Sequence, residues 1–444
     1  MDAVHPAMDV IYCEGWDAAE CAVVEPISPA EASARDQVGE KYAVLLAIDG
    51  SPSVLIEVAW GNHACLVWKF DPFRRRTLKR DIRQLGGGRL VLVEEILWAY
   101  SDEQQNEFDR GVPTRISQIQ GGGTEADMMV ITDQARTSMS ISPDLSRLQR
   151  PAFGDWASIV GEGDSIPQEG PSPVWPTFSG EAYVALLHEA LSYDGYWRPI
   201  PLFIEEPPSY RLTDAYPTTA GISVSFHARP LWEPPHPLQP DPTFLQISRA
   251  SREVCVRGQL QRLKSIPVGR LRLPSGRLIA CDPDDYFLEE KTPYTATAPP
   301  GEYRFFVNIC NAPNSTIARI AAGGILVRDE EVASWELAVL PGEDTRLLPN
   351  GAAYGFGVDS GMACFFDASF LPTIVATFSE NDHPLVCLDL PGIRVSRFGG
   401  TPESAALIAF DSGMGDGRYP VWIGRGADGG VACIVADMQL DKAQ

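Results

Sequence analysis

Short runs of β-branched and aromatic residues, broken repeatedly by glycine, asparagine, aspartate and proline, constrain this chain more than any other feature. Lys41 to Ile48 reads as a strand, Asp49–Gly50 as a turn and Val54 to Trp60 as the returning strand; Gly61–Asn62 then breaks the pattern before Ala64 to Phe70. Strand side chains alternate between two faces and turn residues supply the reversals, so the spacing predicts an antiparallel meander. Leu90 to Ala99 adds either a further strand or a short helix, two readings that periodicity leaves open. The pattern resumes at Val254. Gly269 to Pro274, Arg277 to Cys281, Gly301 to Cys310, Thr316 to Val327, Glu331 to Val339 and Leu407 to Phe410 are strand candidates. Tyr419 to Ile423 and Val431 to Met438 flank an Asp428–Gly429–Gly430 hairpin turn.

At 444 residues the chain exceeds one ordinary core, and about 100–200 residues per domain gives two or three units. Residues 1–148 read as an N-terminal α+β module, with a loop at Gly121 to Gly123. Residues 149–249 read as a proline-rich connecting region or small middle module with one helix, and residues 250–444 as a β-rich domain. Pro151 to Pro176 marks the first boundary. Ser179 then caps a helix that places Tyr183, Leu186, Leu187, Ala190 and Leu191 on one apolar face. His188 within it has no second histidine or cysteine at ligand spacing, which fits a structural or surface role better than a metal. Trp232, Phe244 and Leu245 are the anchors of the proline-rich stretch that follows. The expected fold class is α+β, predominantly β, with a C-terminal antiparallel domain that is sandwich-like or barrel-like.

Fifty-nine acidic against 36 basic residues give a net charge of −23. Such a field repels nucleic-acid backbones and anionic membranes and favours cations or a basic protein partner. No nucleic-acid or membrane partner is therefore expected; the plainer reading of the charge is solubility, and the partner it would suit is a basic protein. The N-terminus lacks a basic stretch followed by an apolar run, and no segment reaches about 18 apolar residues, so neither a signal peptide nor a membrane span is expected. Nine cysteines without a CxxC pair argue against a closed disulfide set and for a reducing, cytoplasmic setting. Cys255, Cys310, Cys364 and Cys433 lie among apolar residues and are expected to be buried.

One segment is strongly basic: Arg74, Arg75, Arg76, Lys79, Arg80 and Arg83. On a helix, Arg76, Lys79, Arg80 and Arg83 would share one face at three- and four-residue spacings, a candidate surface for a partner or a phosphate. The plainer reading is a solvated or internally neutralised helix.

Carboxylates suited to chemistry sit in the glycine-rich C-terminal segments. Gly355, Gly357 and Gly361 surround Asp359, while Gly413, Gly415 and Gly417 surround Asp411 and Asp416. If the segments meet, Asp359, Asp367, Asp411 and Asp416 offer oxygen ligands for Mg²⁺ or Ca²⁺, or an acid and a base for hydrolysis. Tight turns demand the same residue types. On that preferred reading Gly357, Gly361, Gly413, Gly415 and Gly417 serve the turns, and Asp359 and Asp411 accept backbone N–H groups. There is no EF-hand loop, HExxH, phosphate-binding lysine loop or GxSxG elbow, and neither Ser360 nor Ser412 has a histidine nearby in sequence; His383 would have to approach through folding. No catalytic residue is assigned, and no cofactor is firmly implied beyond a candidate divalent cation.

The C-terminal part resembles the bacterial domain-of-unknown-function 4241 family. The resemblance rests on Gly269-Arg-Leu-Arg-Leu-Pro-Ser-Gly-Arg-Leu-Ile-Ala-Cys-Asp282, Pro299-Pro-Gly-Glu-Tyr303, Trp335-Glu-Leu-Ala338, Phe356-Gly-Val-Asp-Ser-Gly361 with Asp367, and Asp411-Ser-Gly-Met-Gly-Asp-Gly-Arg-Tyr-Pro420. It continues through Gly424, Asp428, Gly430 and Asp437. It brings no reaction and no catalytic residue. Together with the acidic balance it implies a bacterial protein-interaction module, an immunity or accessory factor in a toxin or defence locus. The alternatives are a metal-dependent hydrolase or small-ligand enzyme using the C-terminal aspartates, and a structural subunit of a larger assembly.

Overall fold

The N-terminal runs become the meander that their spacing predicts. In a computed structural model, residues 8–17, 20–108, 112, 114–119, 126–131, 136–141, 149–160, 210–218, 221–228, 231–248, 250–285, 287–311, 318–380, 385–388, 390, 392–401 and 403–440 are described. The chain divides into two compact units, Met1–His236 and Pro237–Gln444. It is α+β and predominantly strand, with a half-barrel sheet in its C-terminal half.

The first unit holds a ten-stranded antiparallel sheet. Its strands are β1 (Met8–Asp17), β2 (Ala22–Pro26), β3 (Tyr42–Ile48), β4 (Ser51–Ala59), β5 (Ala64–Phe70), β6 (Arg76–Gln84), β7 (Leu90–Trp98), β8 (Thr114–Ile119), β9 (Ala126–Ile131) and β10 (Arg136–Ile141). From β3 to β10 each strand lies beside the next; β1 then inserts between β3 and β2. β11 (Tyr210–Thr218) and β12 (Gly221–Ala228) form a separate hairpin. Asp49 and Gly50 both have positive φ (50° and 74°), the backbone that matches a tight hairpin turn to strand twist.

β3 is apolar throughout because the sheet is covered on both faces. Tyr42, Val44 and Leu46 pack with Val54, Ile56, Val67 and Trp156 on one side, and Ala43 and Leu45 pack with Trp16, Leu55, Leu66 and Trp68 on the other. The helix Pro29–Val38 contributes Ala32 to the first face. Ser28 caps it by accepting the Glu31 N–H at 3.1 Å, Pro29 opens it, and Gly39 ends it with φ 80°.

Leu90 to Ala99 resolves as strand β7. The basic segment is a correction: Arg76–Gln84 is strand β6, not a helix. Its odd-even alternation sends Leu78 and Ile82 inward between β5 and β7, and neighbouring strands supply the hydrogen bonds that a helix would have made for itself. The helix expected from Ser179, with His188, and the loop at Gly121 to Gly123 lie outside the described residues, as does His383.

The second unit holds a twelve-stranded sheet. Its strands are β13 (Arg252–Val256), β14 (Gln259–Leu273), β15 (Leu278–Cys281), β16 (Gly301–Asn311), β17 (Ala318–Leu326), β18 (Ser334–Leu337), β20 (Met362–Asp367), β21 (Val386–Cys387), β22 (Val395–Thr401), β23 (Ser404–Asp411), β25 (Val421–Arg425) and β26 (Val431–Asp437). The main path runs β15-β20-β23-β14-β16-β17-β26-β25-β18. Short strands β19 (Phe356–Val358) and β24 (Gly417–Tyr419) pair separately. Among the described residues the sheet has one parallel contact, where Arg270 and Leu271 of β14 meet Ser404 and Ala405 of β23.

Phe305, Phe365 and Phe410 meet at the centre with ring centroids 5.5–5.9 Å apart, and burying each contributes about 1.5–3 kcal/mol. Gly323 makes room for them: a Cβ there would stand 2.4 Å from the Phe410 ring. On another face, the helix Leu371–Glu380 covers Ile279, Cys281, Cys364, Phe366 and Leu407. Phe244 and Leu245, from the helical turn Pro242–Leu245, anchor the start of this unit. Cys310, Cys364 and Cys433 are buried as expected, but Cys255 is exposed. β13 alternates, and the inward positions belong to Val254 and Val256.

Candidate functional site

The signature segments meet around a buried aspartate. Asp282 follows β15 and is 4% exposed. Its Oδ2 accepts the N–H groups of Asp359 and Ser360, each at 2.7 Å, and its Oδ1 accepts the Ser360 hydroxyl at 2.6 Å and the Asp284 N–H at 2.8 Å. A carboxylate so placed fixes the turn that follows β19, because hydrogen bonds to an ionised acceptor are the strong ones. Gly361, at φ 72°, completes the reversal, and its carbonyl accepts the Ser412 N–H at 3.0 Å.

The second segment closes from the other side. Asp411 accepts the Arg394 N–H at 2.6 Å and the Arg394 Nε at 2.8 Å. The Ser412 hydroxyl donates to the Gly415 carbonyl at 2.6 Å, which also accepts the Tyr419 hydroxyl at 2.8 Å. Gly413 is held at φ 66° against Met438 and the Ile320 carbonyl, where a Cβ would come within 2.9 and 3.0 Å. Gly415 also has positive φ, while Gly357 and Gly417 lie in the paired strands β19 and β24.

Of the four candidate ligands, Asp367 stands elsewhere, and Asp359 and Asp416 are exposed. Asp367 is fully buried at the far end of β20, opposite Leu278. It accepts the Ser275 N–H (3.0 Å), the Ser275 hydroxyl (2.7 Å) and the Ser369 N–H (2.9 Å). Five residues of strand put it about 16 Å along the chain from Met362, the residue that faces Asp411. Asp359 is exposed. Its backbone N–H is held by Asp282, while its carboxylate accepts no hydrogen bond from a described residue, which corrects the expectation that it caps its own turn. Asp416 is exposed as well. Among the described residues no group of three or more His, Cys, Asp or Glu is placed to hold a metal ion. Both serine hydroxyls of the signatures are engaged: Ser360 donates to Asp282, and Ser412 donates within its own turn to the Gly415 carbonyl.

The hairpin turn after β25 repeats the device at the surface. Arg328 grips Asp428 through two bonds of 2.8 Å, and the Gly430 N–H adds a third at 2.8 Å. The guanidinium holds the Asp428 carboxyl well below the usual carboxylate range.

The basic candidates of the first unit are all paired. Arg76, 5% exposed, makes a two-pronged bond to Glu107 (2.8 and 2.7 Å) and stacks on Trp68 and Phe108. Lys79 meets Glu94 at 2.5 Å, Arg80 meets Glu95 at 2.8 Å and Arg83 meets Asp81 at 2.7 Å. Nearby, Glu57 is buried and accepts the Trp68 Nε1–H at 3.0 Å. Burial pushes its carboxyl up from 4.5 to about 7, and it pushes the Cys13 thiol up to about 11.

Residues 271–389 and 392–436 match the family described as Protein of unknown function (DUF4241). The match is confined to the C-terminal region. The matched span takes in Asp282, Asp359, Asp367 and Asp411, so the clasped turns lie inside it. Neither a curated protein nor a solved structure matches the chain. Two residues at the centre of the arrangement, Asp282 and Arg394, were not among the candidates. Asp282 closes the first motif of the resemblance, and that position was the available signal; Arg394 has no local pattern around it. No helix among the described residues is long and apolar enough to cross a membrane.

Proposed function

We propose that this protein is a protein-interaction module, an immunity or accessory factor that engages a basic partner. The observation that carries the reading is the use made of the signature carboxylates. Asp282, Asp367 and Asp411 each accept at least two hydrogen bonds from backbone groups, Ser275, Ser360 or Arg394, so the glycine–aspartate motifs are spent on holding turns. A net charge of −23 then offers a field that steers an oppositely charged protein. Nine free cysteines suit a reducing cytoplasm.

Affinity capture with the intact chain, followed by calorimetry on the purified complex, tests this. The expected partner is basic, and its affinity falls at least tenfold between about 50 and 300 mM salt, as screening of a charged interface requires. A partner whose affinity ignores salt, or failure to recover any partner, overturns the proposal. A divalent-cation site would instead announce itself as a rise in melting temperature with Mg²⁺ or Ca²⁺.

A further inference from the structure

An open surface pocket of ≈ 360 Å³ lies beside the parallel contact between β14 and β23, lined by two guanidinium groups and two carboxylates. The strand period puts them there. Leu271 and Leu273 are fully buried in the core, so Arg270 and Arg272 project from the opposite face of β14. Glu302 of β16 is the cross-strand partner of Arg272, and Ser404 of β23 is the partner of Arg270. Glu403 precedes Ser404, and its carbonyl accepts the Arg270 N–H at 3.0 Å.

These charges stand side by side without cancelling one another. Neither Arg270 nor Arg272 has a side-chain hydrogen bond or ion pair among the described residues. Arg272 is held in position by stacking 5.0 Å from the Phe370 ring, and its Nε is buried with no acceptor. Glu302 takes the Ser404 hydroxyl at 2.9 Å and keeps its other oxygen, while Glu403 keeps both. Gly400 forms a wall that no larger residue could: at φ 98°, a Cβ would stand 2.2 Å from the Ser404 carbonyl oxygen and 3.2 Å from the Arg272 Nη2.

A planar guanidinium without a carboxylate partner of its own suits a carboxylate, and the glutamates beside it suit an ammonium group. A volume near the lower end of small-molecule pockets limits the occupant's size. We propose that this cavity binds a free α-amino acid, its carboxylate on Arg272 and Arg270 and its ammonium on Glu302 and Glu403. The site is independent of the acidic surface proposed for a protein partner.

Calorimetric titration of the full chain with glycine, L-alanine, L-leucine and L-glutamate tests it, with acetate, ethylammonium and inorganic phosphate as controls. At least one amino acid is expected to bind at least tenfold more tightly than any control. Arg272→Gln should weaken that binding at least tenfold, and Arg270→Gln and Glu302→Gln should each weaken it severalfold. Arg270 and Glu302 are exposed, so their variants remain informative if Arg272→Gln fails to fold. Phosphate or acetate binding as tightly as the best amino acid overturns the proposal. So does the absence of amino-acid binding, or binding that survives both exposed-site substitutions unchanged.

Discussion

The two units neutralise buried charge in opposite ways. In the first, side chains answer side chains: Asp36 takes the Tyr42 hydroxyl at 2.7 Å, the Trp60 indole N–H at 2.9 Å and the Arg150 guanidinium at 2.9 Å, and Arg76 meets Glu107 across a loop. In the second, short aspartates answer the backbone: Asp282 and Asp367 accept N–H groups from turns brought to them by the sheet. A long ion-paired side chain gives up rotamer freedom to hold its geometry, whereas a backbone N–H in a turn is already fixed once the strands are paired. The difference makes the first unit's charges adjustable one pair at a time. Asp282 and Asp367 are structural members, each joining segments distant in sequence.

Substitution of Asp282 should break that contrast most severely. Asp282→Ala leaves three N–H groups and a hydroxyl without their acceptor, and a loss of about 3–5 kcal/mol is expected from urea denaturation of the intact protein. A loss below about 1 kcal/mol would show that the turn re-forms its bonds without the carboxylate.

Next in size is the pH response of the first unit. Glu57 has its folded pKa raised from 4.5 to about 7, so the folded state holds this proton more tightly than the unfolded chain. The associated stability is fully present below about pH 4.5 and is lost as pH rises to about 7, on the order of 3 kcal/mol in all. Calorimetric melts between those values should show the decline. Glu57→Gln keeps an acceptor for the Trp68 indole and should flatten the profile; an unchanged slope would assign it to other groups.

The basic strand sharpens the comparison further. Arg76→Gln, which breaks a nearly buried pair and two ring contacts, should cost about 2 kcal/mol, and Lys79→Gln less than about 1. Equal losses in denaturant titrations would mean that burial does not set the strength of these pairs.

The smallest effect separates two neighbours in the signatures. Asp359→Ala should shift stability by no more than about 0.5 kcal/mol, because its carboxylate holds nothing, while Asp411→Ala should cost about 1 kcal/mol through its bonds to Arg394. A reversed order in thermal melts would contradict the geometry of both turns.

Strands and hairpins were legible because their information is local. Asp49–Gly50 and Asp428–Gly429 mark reversals within a few residues of the runs that they join, and the pairing of β25 with β26 follows from that spacing. Ser28 and Glu31 are also local, and their capping-box spacing marks the start of the helix Pro29–Val38. The basic segment misled because its charges fall at helical intervals by coincidence. The partners that reveal a strand, Glu94 and Glu95, lie in the next run and matter only once the register is known. The signatures located the right region but not the right carboxylate. Whether Asp282 or Asp359 holds the turn depends on which lies inside the sheet, and glycine-rich context is the same for a donor and an acceptor of the clasp. Arg270 and Arg272 carried no signal as a site, since alternating charged and apolar residues describe any half-exposed strand.

Strand β14 also sets the order in which the molecule can be assembled. It pairs with β13 just before it and with β16 a few dozen residues later, yet the far end of its other edge waits for β23, well over a hundred residues downstream. β17 likewise waits for β26. Emerging from the ribosome, the first unit's meander can zip neighbour to neighbour, whereas β14 and β17 must each keep an open edge until almost the whole chain has been made. Loops that distant close slowly, and open edges invite pairing with other chains. The second unit is therefore the part of this protein with the greatest call on chaperones during synthesis.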